Sequence, residues 1–168
     1  LDEGIDYLFI SNADNLGGTT DIRIPQFMSR HGHPFGIELT KKTANDTKGG
    51  TIICQNQSYK LWEIAQVHPD QTNMFQSQQF FNTNNIWVHI PTLIELIEQK
   101  KLTLDLILNK KIYHNRPIIQ LEYAMGSAIQ SFQNPCIFNA PKHRFFPVKT
   151  TNDLLLLMSD IVDFDNRF

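Results

Sequence analysis

The chain has 168 residues, 41% of them apolar, and a formal net charge of −2. That length predicts one domain with a sizeable core. The charge excludes the broad basic field of a nucleic-acid-binding surface, and no apolar run approaches the length of a membrane span.

The chain opens Leu1-Asp2-Glu3-Gly4, which is acidic and short and so unlike a secretory signal. It starts without Met and enters a strand-like run almost at once, so a piece cut from something longer is expected. Ile5 to Ser11 reads as a strand buried on both faces, because Tyr7-Leu8-Phe9-Ile10 is continuously apolar. Residues 11–18 are loop formers. A helix is predicted from a cap at Asp21 to about His31, with Pro25 tolerated in its first turn. Gly36 to Thr40 is a second strand, and the polar run from Lys41 to Gly50 a loop. Thr51 to Cys54 and Tyr59 to Ala65 form a hairpin across residues 55–58. Val67 to Gln79, rich in Gln and Asn, is expected to be irregular. Asn85 to Ile90 is a strand, and Pro91 to Lys100 a helix with Pro in its first turn. A helix is predicted over Leu121 to Phe132, a short strand over Cys136 to Phe138, and a final helix over Thr151 to Val162 capped by Thr150 or Thr151. Strands alternating with helices indicate an α/β fold with a mainly parallel sheet.

Cys54 and Cys136 are far apart and form no CxxC pair, so no zinc site is expected. Two reduced, partly buried thiols and a cytoplasmic location fit them better. His31 and His33 read as surface residues near a helix end rather than metal ligands. The other histidines show no ligand spacing, and no Ser/His/Asp or Cys/His set emerges.

Four segments carry candidate chemistry. In Ser11-Asn12-Ala13-Asp14-Asn15-Leu16-Gly17, Asp14 stands just past a buried strand, where open α/β sheets bind ligands. A short carboxylate there suits a hard cation that also touches phosphate. An Asx-turn or a helix cap uses the same residues. In Val148-Lys149-Thr150-Thr151, a lysine ahead of a helix N-terminus adds a point charge to backbone N–H donors, as an anion site requires. A solvated lysine beside an ordinary cap is the plainer reading. In Phe81-Asn82-Thr83-Asn84-Asn85-Ile86-Trp87, three asparagines in four positions suit sugar hydroxyls, although Asn also serves tight turns. In Lys48-Gly49-Gly50-Thr51 with Glu63, paired glycines admit a ligand to the backbone. Glu63 faces either that ligand or, by strand alternation, solvent.

Taken in order, these segments resemble the eukaryotic-type UTP–glucose-1-phosphate uridylyltransferases. The resemblance runs from Phe9–Gly17 through Lys42-Thr43, Asp46–Thr51, Glu63–Val67, Phe81–Trp87, Asn109-Lys110-Lys111 and Gln120-Leu121-Glu122 to Arg144-Phe145-Phe146-Pro147-Val148-Lys149-Thr150-Thr151. It implies a Rossmann-like nucleotidyltransferase fold of α/β/α layers. It also implies that UTP and glucose 1-phosphate give UDP-glucose and pyrophosphate, with Mg²⁺. By match to the family pattern, Asp14 is the metal ligand, Asn12 contacts substrate, and Lys149 meets the UTP phosphates. Gly50, Glu63, Asn82 and Asn84 match the region around the sugar.

Two departures accompany the resemblance. Neither Gly17-Gly18 nor Gly49-Gly50 fits the family's Gly-rich nucleotide loop, and the family's β-helix domain is not represented. Residues 1–168 are therefore expected to be a single, incomplete catalytic domain whose open sheet edge favours a homo-oligomer. A sister pyrophosphorylase acting on an N-acetylhexosamine phosphate, and a non-catalytic binding module, are the alternatives.

Overall fold

A computed structural model of the chain describes residues 4–43, 49–56 and 58–161. The Asp46-Thr47-Lys48 part of the resemblance and the last position of the predicted final helix lie outside the described residues.

The first strand, β1 (Tyr7–Ile10), leads through the 11–20 loop to helix α1 (Arg23–His31). Asp21 accepts the Arg23 N–H at 3.0 Å, and Pro25 sits in the first turn, where its missing N–H costs nothing. Gly32 ends the helix at φ 67°, a conformation glycine adopts without strain. Strand β2 (Phe35–Lys41) is buried at six of its seven residues. Strands β3 (Gly50–Gln55) and β4 (Ser58–Glu63) form the predicted hairpin.

Between the hairpin and the next strand the chain is more regular than expected. A short 3₁₀ turn (Pro69–Gln71) runs into helix α2 (Thr72–Gln76). Phe75 anchors it by packing edge-on against Trp62, with ring centroids 5.3 Å apart. Strand β5 (Phe80–His89) then runs for ten residues, five more at its start than predicted, and helix α3 (Ile90–Glu98) follows.

Residues 101–132 depart most from the sequence reading. Strand β6 (Asp105–Tyr113), not anticipated, pairs along its whole length with β7 (Arg116–Ala124). Their two-residue turn, His114-Asn115, has both φ values positive, at 46° and 60°. That is the turn geometry whose twist matches paired strands. Leu121 to Ala124 is therefore strand, with Leu121 opposite Leu108 and Tyr123 opposite Leu106. Only Met125–Ser131 is helical, as 3₁₀. Cross-strand pairing has overridden a helix-like spacing. Strand β8 (Cys136–Asn139) and helix α4 (Thr151–Leu157) complete the fold.

The main sheet has the order β1-β5-β2-β8. It is mixed rather than mainly parallel: β5 is antiparallel to both β1 and β2, and β8 is parallel to β2. β1 and β2 therefore run in one direction, as a strand–helix–strand reading requires. The reversed strand β5 is inserted between them, and sequence periodicity cannot report that insertion. Phe35, Ile37, Leu61, Ile86 and Ile129 are essentially inaccessible, so the core lies between this sheet, the β3–β4 hairpin and the 3₁₀ segment.

One irregularity in the sheet shapes the site. Between the pairs Ile37↔Ile86 and Leu39↔Asn82, β2 advances two residues while β5 advances four. The surplus residues of β5 bulge out, with Asn84 at φ 62°. Bulges of this kind re-aim side chains beside active sites. Asn82 Oδ1 accepts the Asn84 N–H at 2.9 Å, and Thr83 Oγ1 donates to the Glu38 carbonyl at 2.7 Å.

Candidate active site

A cavity of about 420 Å³ opens between the bulge, the 11–20 loop, the β3–β4 hairpin and the β6–β7 ribbon. Its walls include Asn12, Leu61, Glu63, Asn84, Glu122 and Met125. Three of the predicted residues thus share one cavity. Asn84 Nδ2 donates to Asn12 Oδ1 at 2.9 Å, across 72 positions of sequence. Asn82 stands behind them, buried, and holds the backbone of Asn84.

Gly50 faces Glu63 across the hairpin. A Cβ on Gly50 would come within 2.7 Å of the Glu63 carboxyl, so only glycine leaves that carboxyl its place. Glu63 does not point outward. It lines the cavity, and burial pushes its pKa up, with the nearby Glu122 adding to the effect. Glu122 in turn accepts a hydrogen bond from Asn109 Nδ2 at 3.0 Å.

Asp14 and Lys149 form the second part of the site. Lys149 Nζ lies 2.6 Å from Asp14 Oδ2, with the lysine side chain 62% exposed and the aspartate 35%. The two loops are stitched together by backbone: Val148 N–H donates to Asp14 O at 2.8 Å and Leu16 N–H to Phe146 O at 3.0 Å. Gly17 makes that approach possible, since a Cβ there would lie 2.4 Å from the His143 carbonyl oxygen.

The expected anion site at the start of α4 is changed in one respect. The N–H groups of Lys149 and Thr150 both donate to Asp153 Oδ2, at 2.9 and 2.7 Å. Thr150 Oγ1 accepts the Asp153 N–H at 3.3 Å, closing a capping box. Those three backbone donors are taken, and the Lys149 ammonium supplies the positive charge beside them. Donation from the Lys149 N–H first, then from the Thr150 hydroxyl and the Thr150 N–H, holds the Asp153 carboxyl below its usual range.

Among the described residues no three His, Cys, Asp or Glu side chains gather as a metal cluster. Asp14 Oδ1, however, is buried and accepts no hydrogen bond among the described residues. A single buried carboxylate oxygen fits Mg²⁺, which binds through one or two carboxylates and takes its other oxygens from phosphates and water. His31 is exposed and His33 half-buried; both stack with Phe27, and each ring Nδ1 lies against a backbone carbonyl. Both cysteines are free. Cys54 is exposed rather than partly buried, and burial pushes the Cys136 thiol up to about 12. No helix among the described residues is long and apolar enough to cross a membrane.

Sequence reasoning missed the group beneath the site. Glu38 is wholly buried in β2 and Arg144 nearly so, and they form a bidentate pair. The one available signal was a carboxylate in the middle of the continuous strand Phe35-Gly36-Ile37-Glu38-Leu39, which must find a partner if it is buried.

Comparison with known proteins bears on this geometry. The family model for UTP–glucose-1-phosphate uridylyltransferase matches residues 1–168. The chain is 45% identical over 166 residues to a probable UTP–glucose-1-phosphate uridylyltransferase of Schizosaccharomyces pombe, covering 95% of the chain and 33% of that protein. It is 41% identical over 164 residues to the enzyme of that name from Encephalitozoon cuniculi, covering 96% of the chain and 33% of the relative. The chain thus spans about a third of the length of the curated relatives it matches. Its fold is similar to the crystal structure of a UDP-glucose phosphorylase from Trypanosoma brucei (TM-score 0.85, 36% identity, 95% of this chain and 38% of that one). It is also similar to a mutant UDP-glucose pyrophosphorylase from Leishmania major in complex with UDP-glucose (TM-score 0.81, 34% identity, again 95% and 38%). Together with the nucleotidyltransferase-like mixed α/β fold, these matches establish that the chain belongs to the UTP–glucose-1-phosphate uridylyltransferase family.

Proposed function

We propose that the protein carrying this chain makes UDP-glucose and pyrophosphate from UTP and glucose 1-phosphate, with Asp14 and Lys149 as the phosphate-end groups. The observation that carries this reading is the Asp14–Lys149 pair, held two residues from Asn12 on the wall of a cavity that also presents Glu63 and Asn84. The site is polarised. An accessible ammonium marks the phosphate end, and two carboxylates and three amides mark the hydroxyl end.

A phosphate oxygen of glucose 1-phosphate attacks the α-phosphorus of UTP, and the bond to the β-phosphate bridge oxygen breaks as pyrophosphate leaves. The attacking oxygen is already ionised at neutral pH, so no general base is required and no catalytic triad is expected. The chain's work is positioning and charge neutralisation. Lys149 has three donors, and only one is engaged by Asp14, so its ammonium can serve an α-phosphate oxygen without leaving the carboxylate. Asp14 Oδ1 would hold the Mg²⁺, which when bound offsets phosphate charge. Glu63 accepts hydrogen bonds from sugar hydroxyls, Gly50 keeps that carboxyl in place, and Asn12 and Asn84 offer amide groups to the same face. Asn82 acts by holding Asn84.

The test is pyrophosphate release by the full-length protein with MgUTP and glucose 1-phosphate, with Lys149→Ala as control. Turnover that the control abolishes supports the reading. Absence of turnover, or a preference for an N-acetylhexosamine 1-phosphate in a sugar-phosphate panel, would overturn it.

A further inference from the structure

Beneath the site lies a continuous buried polar cluster that touches none of the cavity. Arg144 Nε donates to Glu38 Oε2 at 2.6 Å and Nη2 to Oε1 at 2.8 Å. Trp87 Nε1 and Asn85 Nδ2 complete the carboxylate's shell at 2.9 and 3.3 Å. The same guanidinium reaches the 11–20 loop, where Nη2 donates to Thr19 O at 2.8 Å. Asn85 Oδ1 accepts from Ser11 Oγ at 2.7 Å and from Asn15 Nδ2 at 3.1 Å. Asn15 closes the cluster: its Oδ1 accepts the Phe146 N–H at 2.8 Å and its Nδ2 donates to Arg144 O at 3.1 Å.

Three segments meet in this cluster, and each carries a residue of the proposed site. The 11–20 loop bears Asn12 and Asp14, the β5 bulge bears Asn84, and the 144–149 run bears Lys149. A buried ion pair is a poor source of stability, because desolvation offsets most of its attraction, and apolar side chains of similar volume often hold a core as well. Apolar side chains cannot bond a loop carbonyl, however, nor orient an asparagine that holds a second loop. The pair therefore controls geometry more than it controls stability.

We propose that Glu38 and Arg144 are positioning residues. Through Thr19, Asn85 and Asn15 they fix the mutual placement of Asp14, Lys149 and Asn84, although neither lines the cavity of the proposed site. This rests on the function proposed above.

The experiment replaces the pair together, Glu38→Leu with Arg144→Met, in the full-length protein, and adds Arg144→Lys, which keeps the charge but loses the bidentate fork. Thermal melting, kcat and the KM for glucose 1-phosphate are measured on each. A melting temperature near that of the wild type is expected for the double variant. Its kcat should fall on the order of ten- to a hundredfold, as for a misplacement of catalytic groups by about 1 Å. KM should change less, because the hairpin residues Gly50 and Glu63 are not tied into the cluster, and Arg144→Lys should be intermediate in kcat. A kcat that stays at the wild-type value per folded molecule, in either variant, would reduce the pair to a structural role and overturn the inference alone. A wild-type protein with no turnover would overturn the proposed function and this inference with it.

Discussion

Lys149 Nζ lies 2.6 Å from Asp14 Oδ2, although 135 positions separate the two residues. The other oxygen of that carboxylate is buried with no hydrogen-bond donor among the described residues. One side of the aspartate thus meets a lysine, while the other is left without a donor. Because the lysine is exposed and the aspartate only half-buried, the pair contributes at most about 1 kcal/mol to stability. Lys149→Ala should therefore leave the melting temperature within a few degrees of the wild type and lower kcat by on the order of a hundredfold. Calorimetry and steady-state pyrophosphate release check both parts, and an unchanged rate would remove Lys149 from the site.

Asp14→Asn keeps the shape of the side chain and removes its charge. Asp14 is expected to be required for the response to Mg²⁺, so the variant should lose activity and its Mg²⁺ dependence together. A Mg²⁺ titration of the rate checks this, and Mg²⁺-dependent turnover by the variant would contradict the assignment.

Glu63 gives a pH signature. Its folded pKa is raised, first by burial and then by Glu122, so the folded chain holds this proton more tightly than the unfolded chain. Between the ordinary glutamate range and the raised value, stability falls as pH rises, and above the raised value the whole cost is present. Glu63→Gln removes the ionisation. Without ligand, the variant should melt higher than the wild type near neutral pH, and the gap should close as the solution is acidified through the glutamate range. A gap that widens in acid would reverse the sign and exclude burial as the cause.

Gly17 lies where the 11–20 loop crosses the 143–145 backbone. A Cβ there would sit 2.4 Å from His143 O and 2.6 Å from the Arg144 carbonyl carbon. Both obstacles are backbone, so the loops must part. Gly17→Ala should cost on the order of 1–3 kcal/mol and loosen the Asp14–Lys149 pair. Lower melting temperature and lower kcat in the same variant are expected.

Asp153 holds the N–H groups of both Lys149 and Thr150. Asp153→Ala frees the residue that carries the ammonium. Faster amide exchange at residues 149–154 and a several-fold drop in kcat are expected, with little change in global melting. Unchanged exchange would show that the capping box does not hold Lys149.

Much of the local structure was legible in the sequence. The β3–β4 hairpin, the Pro25 and Pro91 helix starts and the Thr150 cap follow from turn chemistry, proline geometry and capping, which involve near neighbours. The ordered motifs from Asn12 to Lys149 were sufficient to identify the family. Residues 121–124 were misread because their spacing suits a helix while their partner, β6, lies elsewhere in the chain. Leu121 becomes a strand residue only by facing Leu108.

What only the tertiary structure decided is how distant segments meet. The reversed strand β5 separates β1 from β2, and its surplus residues turn Asn84 toward Asn12. Glu38 and Arg144, 106 positions apart, pair beneath the site. Side-chain periodicity along a chain records which face of its own element a residue occupies. It carries no record of which strand lies alongside, because that choice minimises buried polar and exposed apolar surface over the whole molecule at once. The sequence by itself determined the family and which polar and charged side chains the chain carries, and sheet order with the buried polar cluster determined which of them meet.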